Sequence, residues 1–178
     1  MAAHVRSTSR LCSPKPPSTS TTIPASVHIS CTRTLPLSPE DIASRILDLS
    51  KWHDFKGYGP IPGIRSATFA VRTTEVTGTR IRVENLDGST HVEEIVEWDP
   101  HKKVRLHFQQ FSPPLASLAE SFLETWEFEI TGAGTKVVRS FQLHPRNPAA
   151  WAVLWVISRF LKEAIRTHLD QMGKAAHL

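Results

Sequence analysis

Residues 147–172 read NPAAWAVLWVISRFLKEAIRTHLDQM, and this C-terminal stretch decides how the rest of the chain must be arranged. Asn147 followed by Pro148 is a typical helix start, because Asn caps free backbone N–H groups and Pro fits the first helical position. The pattern predicts one helix, about 37 Å long, that ends at Met172 before Gly173. Its first half is apolar nearly all round, so we expect that half to be enclosed. The second half keeps one apolar stripe of Leu161, Ile165, Leu169 and Met172.

The chain before this helix alternates apolar and polar residues in short stretches. Alternation with period two is typical of strands that bury one face. The Asp87-Gly88 pair is a strong signal for a two-residue hairpin. Further turn signals lie at Gly78, Asp99-Pro100, Pro113-Pro114 and residues 132–134. We therefore expect an antiparallel meander of about five or six strands without a parallel crossover helix.

The N-terminal part of the domain adds a further strand and a helix. Residues 27–37 alternate loosely, which indicates a first strand. Ser38 and Pro39 then supply an N-cap and a first helical position, and Ile42 begins the apolar stripe of a short helix. Residues 56–63, KGYGPIPG, hold three glycines and two prolines and predict an irregular connection.

Two segments carry a family resemblance. Residues 39–55, PEDIASRILDLSKWHDF, join a proline-initiated helix to an aromatic-rich turn, and residues 125–141, TWEFEITGAGTKVVRSF, form a hairpin with Gly-Thr opening the last strand. With the order of elements over residues 27–173, they resemble the START-like or SRPBCC superfamily, the helix-grip fold. The resemblance implies an α+β domain: a curved antiparallel sheet of about six or seven strands around a long C-terminal helix, with two short helices after the first strand. It also implies a cavity between sheet and helix, which that superfamily uses for polyketide cyclisation, lipid or quinone binding, and some hydrolytic or aromatising reactions.

Residues 1–25 differ from the rest of the chain in composition. They are rich in Ser, Thr and Pro, contain no acidic residue and carry Arg6, Arg10 and Lys15. Such a segment has little apolar surface to bury, so we expect a disordered tail before a START-like ligand-binding domain at residues 26–178. The composition also resembles a mitochondrial transit peptide, although its prolines break the amphipathic helix of such peptides. The cytoplasm is the expected compartment, and the mitochondrion is the alternative.

The charge distribution bears on the partners. All 17 acidic residues lie after the tail, whereas three of the 21 Lys and Arg residues lie within it, so the net charge of +4 comes largely from the tail. The folded part lacks the basic excess of a nucleic-acid-binding domain, and no such partner is expected. The apolar run of the C-terminal helix ends at Arg159 and is too short to span a bilayer. Peripheral contact with a membrane surface stays open, and the sequence carries no signal for an oligomeric state.

A cavity is also expected on physical grounds, because one straight helix cannot fill the concave face of a twisted sheet at both ends. Residues 112–119, SPPLASLA, should border its mouth together with residues 56–63, since prolines interrupt strand pairing there. Large aromatic side chains are the expected ligand-binding lining: Tyr58, Trp98, Phe108, Trp126, Phe128, Phe141, Trp151 and Trp155. The alternative is that these side chains form a dry core.

Three charged residues interrupt apolar stripes of the predicted strands. Period two places Glu94 with Val92, Val96 and Trp98, Glu124 with Phe122 and Trp126, and Arg139 with Val137 and Phe141. Because burial of a lone charge is costly, Glu94, Glu124 and Arg139 are the candidate catalytic residues. Arg139 is expected to pair with Glu124, and Glu94 is the candidate acid or base. The alternatives are a bulge that turns a stripe over, or a purely structural ion pair.

Other constellations are weaker. His53 and Asp54 lie before the irregular connection, either as a functional group with Tyr58 or as caps of a short helix. The nine histidines show no metal-ligand spacing, so no metal is expected, and no motif calls for a cofactor. Cys12 and Cys31 do not form a disulfide framework.

The leading interpretation is a hydrophobic small-molecule binder, as a polyketide-cyclase-like cyclase or dehydratase of secondary metabolism in which a carboxylate assists proton transfer. The alternative is a non-catalytic carrier or chaperone of a quinone or lipid, of the coenzyme-Q-binding type, for which an apolar cavity suffices. A third class, a partner-binding module that uses Trp151 and Trp155, requires these two side chains to be exposed.

Overall fold

The structure, a computed structural model, describes residues 26–175, and the expectations for the tail at residues 1–25 lie outside the described residues. Within that range the chain forms nine strands, three α-helices and one 3₁₀ helix. Their bounds are β1 Val27–Leu35, α1 Pro39–Leu47, the 3₁₀ helix Leu49–Asp54, β2 Gly57–Tyr58, β3 Ile61–Pro62, β4 Ile64–Val71, β5 Arg80–Asn85, β6 Thr90–Asp99, β7 Lys103–Gln109, α2 Leu115–Leu118, β8 Ala119–Thr131, β9 Gly134–Pro145 and α3 Pro148–Ala175.

Seven of the strands form one antiparallel sheet in the order β1-β9-β8-β7-β6-β5-β4, while β2 and β3 form a separate short hairpin. The long helix α3 packs against β1, β9 and the β2–β3 hairpin. The α+β helix-grip arrangement that the sequence predicts is therefore confirmed, including the two short helices that follow β1.

Both predicted helix starts are present with their capping bonds. The Asp41 backbone N–H donates to Ser38 Oγ at 3.1 Å, and the Ala150 backbone N–H donates to Asn147 Oδ1 at 2.8 Å. The predicted end of α3 is wrong, because the helix runs through Gly173 to Ala175. A Cβ at Gly173 would lie 3.4 Å from Cδ2 of Leu35, which is ordinary van der Waals contact, and the helix continues through this glycine where α3 packs on β1.

The core lies between the inner face of the sheet and the helices. Alternate residues of β8 and β9 point inward and are buried, as their period-two stripes predict. The buried stripe of α3 that meets them includes Leu154, Ile165 and Leu169. Cys31 is a buried free thiol of β1 and belongs to this core.

One end of the sheet matters for function. Strands β1 and β8 begin at this end, and β7 and β9 stop there. The turn between β5 and β6 lies at the same end. Helix α3 starts here too, since only Arg146 and Asn147 separate it from β9. We call this the upper end of the sheet, and the end with the β8–β9 turn the lower end.

Candidate functional site

A cavity of about 640 Å³ lies between the inner face of the sheet and α3. This volume is typical of sites that hold small organic molecules. The irregular connection contributes Pro60, Ile61 and Pro62 to its wall, and the segment before β8 contributes Leu115 and Leu118. Both segments therefore border the cavity at the places where the sequence predicts its mouth.

Aromatic side chains form much of the sheet wall. Phe108 of β7 and Phe141 of β9 meet edge to face, with ring centroids 5.7 Å apart. Phe111 and Phe122 lie 4.9 Å apart between ring centroids. Such a wall favours flat, apolar ligands, because aromatic rings stack on one another and bury large areas.

Arg139 of β9 interrupts this apolar wall. Its Nε donates to Glu124 Oε1 on the neighbouring strand β8, and its Nη1 lies 2.9 Å from His168 Nδ1 on α3. The guanidinium carbon lies 4.3 Å from the Trp126 ring centroid, which is cation–π geometry. The side chains of Glu124 and Arg139 are only 3% and 9% exposed. A charged cluster thus sits in an otherwise apolar cavity.

Burial determines the protonation of this cluster. It raises the pKa of Glu124 to about 7, although the neighbouring Arg139 charge acts in the opposite direction, and the carboxylate of Glu93 adds to the rise. Burial, assisted by the charges of Arg139 and Arg45, lowers the pKa of His168 to about 3. At neutral pH His168 is therefore uncharged and its Nδ1 accepts from Arg139, while Glu124 can both release and take up a proton.

A second polar pair lies nearer the upper end, on β6. His91 Nε2 and Glu93 Oε1 are 3.0 Å apart, and the two side chains are 12% and 6% exposed. The imidazole stacks on Phe108 with ring centroids 5.4 Å apart and planes 12° from parallel. With Nε2 held by Glu93, Nδ1 makes no hydrogen bond to any residue of the described range. It is positioned to act as a base toward a molecule in the cavity.

Five of the predicted site residues line the cavity: Phe108, Glu124, Trp126, Arg139 and Phe141. The predicted pairing of Arg139 with Glu124 is confirmed. The buried indole N–H of Trp126 interacts with the Glu124 carboxyl and so opposes the rise of its pKa, but it meets no acceptor of the described residues in full hydrogen-bond geometry. A ligand oxygen could satisfy that donor, because unpaired buried donors are costly.

The predicted placement of Glu94 is wrong. Its side chain lies on the outer face of the sheet, where Arg80 Nε and Gln109 Nε2 each donate to Oε2 at 3.0 Å. The adjacent residue, Glu93, faces the cavity instead. A bulge between Ile95 and Glu97 explains the error, because it shifts the alternation of the strand by one residue. Trp98, after the bulge, points inward against the core, whereas Val92 and Glu94, before it, point outward.

Several predicted aromatic ligand contacts also need correction. Trp98 and Phe128 pack in or against the core outside the cavity lining. Tyr58, Trp151 and Trp155 are 50%, 38% and 43% exposed and do not line the cavity either. An apolar helix start has no polar side to show which stripe turns inward, and in the fold this stripe is that of Ala150 and Leu154.

Sequence reasoning missed His91, Glu93 and His168 as cavity residues. His91 and Glu93 alternate with the fully buried Ile95 directly after the Asp87-Gly88 turn, which is a period-two signal. His168 follows Ile165 by three positions and so shares the buried stripe of α3. His53 and Asp54 are largely exposed on the 3₁₀ helix, and Asp54 lies at the rim of the cavity.

Neither a metal centre nor a membrane span is found in the part of the chain that the structure describes. In residues 26–175, no three His, Cys, Asp or Glu side chains come together as a metal-binding group. Over the same residues, no helix has the length and apolar character needed to cross a membrane.

Proteins of known structure share this fold. The Zhui aromatase/cyclase from Streptomyces sp. R1128 superimposes with a TM-score of 0.63 at 12% identity, over 84% of this chain and 94% of the other. The di-domain ARO/CYC protein StfQ from the steffimycin biosynthetic pathway gives 0.65 at 15% identity, over 86% and 53%. A protein from Thermus thermophilus, TTHA0849, gives 0.61 at 19% identity, over 83% and 95%. At such identities the likeness concerns the fold.

The amino-acid sequence identifies a family, which the likeness in fold does not. No curated protein matches this chain. Residues 26–177 match the family described as polyketide cyclase / dehydrase and lipid transport, and the match spans the whole sheet and α3. The chain therefore belongs to the polyketide cyclase / dehydrase and lipid transport family.

Proposed function

We propose that this protein encloses a polyketide-type molecule, apolar and rich in carbonyl groups, and promotes its cyclisation or dehydration. The observation that carries the proposal is the Arg139 guanidinium in the wall of an apolar cavity, flanked by Glu124 and His168. A purely apolar ligand offers no acceptor to a buried guanidinium, whereas a carbonyl oxygen that gains negative charge is stabilised by it. Family membership and the shared fold of aromatase/cyclases support the same class of substrate.

The residues present can account for the proton transfers. In an enolisation, His91 takes a proton from a carbon between two carbonyls, and the C–H electron pair moves into the enolate. Glu93 holds His91 in place for this role. The enolate carbon then forms a bond to a second carbonyl carbon, whose oxygen becomes an alkoxide. A guanidinium has N–H groups beyond the two that Arg139 already uses, and these can donate to the charged oxygen. The alkoxide then takes up the proton that His91 had removed, which gives a hydroxyl and restores the neutral imidazole.

Glu124 fits the later step. Its pKa of about 7 lets the protonated carboxyl donate to the oxygen of a leaving hydroxyl, which departs as water. The resulting carboxylate takes up the proton that the adjacent carbon releases as the double bond forms, so the protonated carboxyl is restored and the step is balanced. The apolar wall excludes bulk water and so favours dehydration over rehydration.

The test is turnover of a synthetic poly-β-ketone thioester by the full chain, with products separated and identified by mass. We expect cyclised products in excess of the spontaneous ones, and a fall of about 100-fold for Glu124→Gln or Arg139→Lys. Glu94→Gln is the matched control, because Glu94 lies on the outer face. Binding of the thioester without any change in its products would overturn the catalytic proposal.

The second candidate, a carrier of a quinone or lipid, has its own support. Glu124 and Arg139 satisfy each other, and most of the remaining lining is apolar. Native mass spectrometry of the purified full chain, followed by extraction of any bound molecule, separates the two. An intact quinone or lipid favours the carrier, and an aromatic polyketide product favours the cyclase.

A further inference from the structure

The first turns of α3 expose apolar side chains on the outside of the protein. Trp151, Val153, Trp155 and Val156 are 38%, 43%, 43% and 50% exposed, whereas Ala150 and Leu154 on the same turns are buried against the domain. Large apolar side chains that cluster at the surface of a folded domain mark an interaction site, because water solvates them poorly.

The β2–β3 hairpin extends this surface. Tyr58 is 50% exposed, and its ring lies 6.4 Å from that of Phe160 on α3. A side chain at Gly59 would lie 2.8 Å from the Phe160 ring, which shows how closely the hairpin packs on the helix. We call the surface made by Tyr58, Trp151, Val153, Trp155 and Val156 the docking face.

The charged residues that flank the α3 part of the docking face along the chain are both basic. No charged residue lies between Arg146 and Arg159, and both of these arginines are exposed. The Arg159 guanidinium lies 4.6 Å from the Trp155 ring centroid, at the edge of the face. The acidic residues Glu84, Asp87 and Glu120 at this end belong to the sheet and its turns, not to α3, and Glu84 is paired with Arg65.

The N-terminal segment adds to this charge. Val27 pairs with Leu143 near the end of β9, so residues 1–25 join the domain at the upper end, where α3 begins. They contain three basic residues and no acidic one. The apolar face and the attachment point of a basic segment therefore lie at the same end.

We propose that the docking face binds the surface of a lipid bilayer that contains anionic lipids. Trp and Tyr prefer the boundary between headgroups and acyl chains, and flanking arginines attract anionic headgroups. Such docking would also bring the cavity close to the bilayer. Pro60, Leu115 and Ile157 of the cavity wall belong to α3 or to segments beside the docking face. An apolar molecule could then pass between bilayer and cavity with little exposure to water. Docking does not depend on the proposed reaction.

The experiment is co-sedimentation of the full chain with vesicles of phosphatidylcholine and phosphatidylserine, and with vesicles of phosphatidylcholine alone. We expect the wild type to pellet with the anionic vesicles. The W151S/W155S double variant should have a partition coefficient for these vesicles that is lower by roughly tenfold or more. The matched control is V71S/I130S, since Val71 and Ile130 are 46% and 76% exposed at the lower end. It should pellet like the wild type.

Three outcomes would overturn the proposal. One is a wild type that stays in the supernatant with both kinds of vesicle. Another is equal loss of binding in V71S/I130S. The third is a wild type that light scattering shows to be a dimer and that W151S/W155S converts to a monomer, because the face would then join two copies. Circular dichroism and the thermal midpoint verify that the variants stay folded, as expected for exposed positions.

Discussion

Arg139 donates from Nη1 to Nδ1 of His168 across 2.9 Å, so polar atoms inside the cavity join the last strand to the C-terminal helix. An imidazole nitrogen accepts a hydrogen bond only when it is unprotonated. The hydrogen bond therefore forms only while His168 is neutral, in agreement with its lowered pKa of about 3. Protonation of His168 would place two positive charges in contact.

The first prediction concerns acid stability. Because the pKa of His168 is lower in the folded chain than in the unfolded one, its contribution to stability is complete above about pH 6.5 and is lost as the pH falls toward 3. The loss should be on the order of 4–5 kcal/mol. Glu124, with its raised pKa, acts in the opposite sense: its contribution is complete below about pH 4.5 and is lost as the pH rises through 7.

The measurement is urea unfolding of the wild type and His168→Gln between pH 3 and pH 8. The variant should lose less unfolding free energy on acidification, since Gln keeps an acceptor and does not titrate. His53→Gln, at a largely exposed histidine, is the control and should follow the wild type. Parallel curves for wild type and His168→Gln would contradict the neutral buried imidazole.

The second prediction concerns the buried ion pair. Arg139→Met leaves the Glu124 carboxyl buried without its partner and should lower the free energy of unfolding by about 3–5 kcal/mol at pH 8. The double variant Arg139→Met/Glu124→Leu should be less destabilised than Arg139→Met alone, because it leaves no unpaired charge. Denaturant titrations at that pH check both statements. If the double variant is the less stable one, the pair itself provides net stabilisation.

The third prediction uses two adjacent glutamates on opposite faces of β6. Glu93→Gln should weaken the hold on His91 and reduce turnover of the thioester by about 10-fold or more. Glu94→Gln should leave turnover unchanged, because that side chain bonds Arg80 and Gln109 outside. Initial rates across a pH series give the comparison, with Kd for the thioester measured separately. Equal rates for both variants would remove the His91–Glu93 pair from the reaction.

The fourth prediction concerns two glycines of the β8–β9 turn. Gly134 has φ +123°, and a Cβ there would lie 2.2 Å from the Leu35 carbonyl oxygen. Gly134→Ala should therefore destabilise the fold by about 2 kcal/mol or more. Gly132 is the matched control, since a Cβ there meets no atom within 4 Å. Thermal midpoints that fall equally for both variants would show that close approach to β1 is not the cause.

Local chemistry in the sequence determined much of the fold and part of the site. Ser38-Pro39 and Asn147-Pro148 start helices because capping and proline geometry act within one turn. The Glu124–Arg139 pair was predictable too, because β8 and β9 form one hairpin, and its period-two alternation brings the two stripes together on one face.

Only the tertiary structure decided the remaining features. A bulge in β6 reversed the facing of Glu93 and Glu94, and a one-residue slip of this kind costs too little locally to be visible in the sequence. An apolar helix start gave no sign that Trp151 and Trp155 face outward, because only the position of the sheet selects the buried stripe. His168 gained its partner from a strand 29 positions away, through a contact that exists only when α3 lies across the sheet.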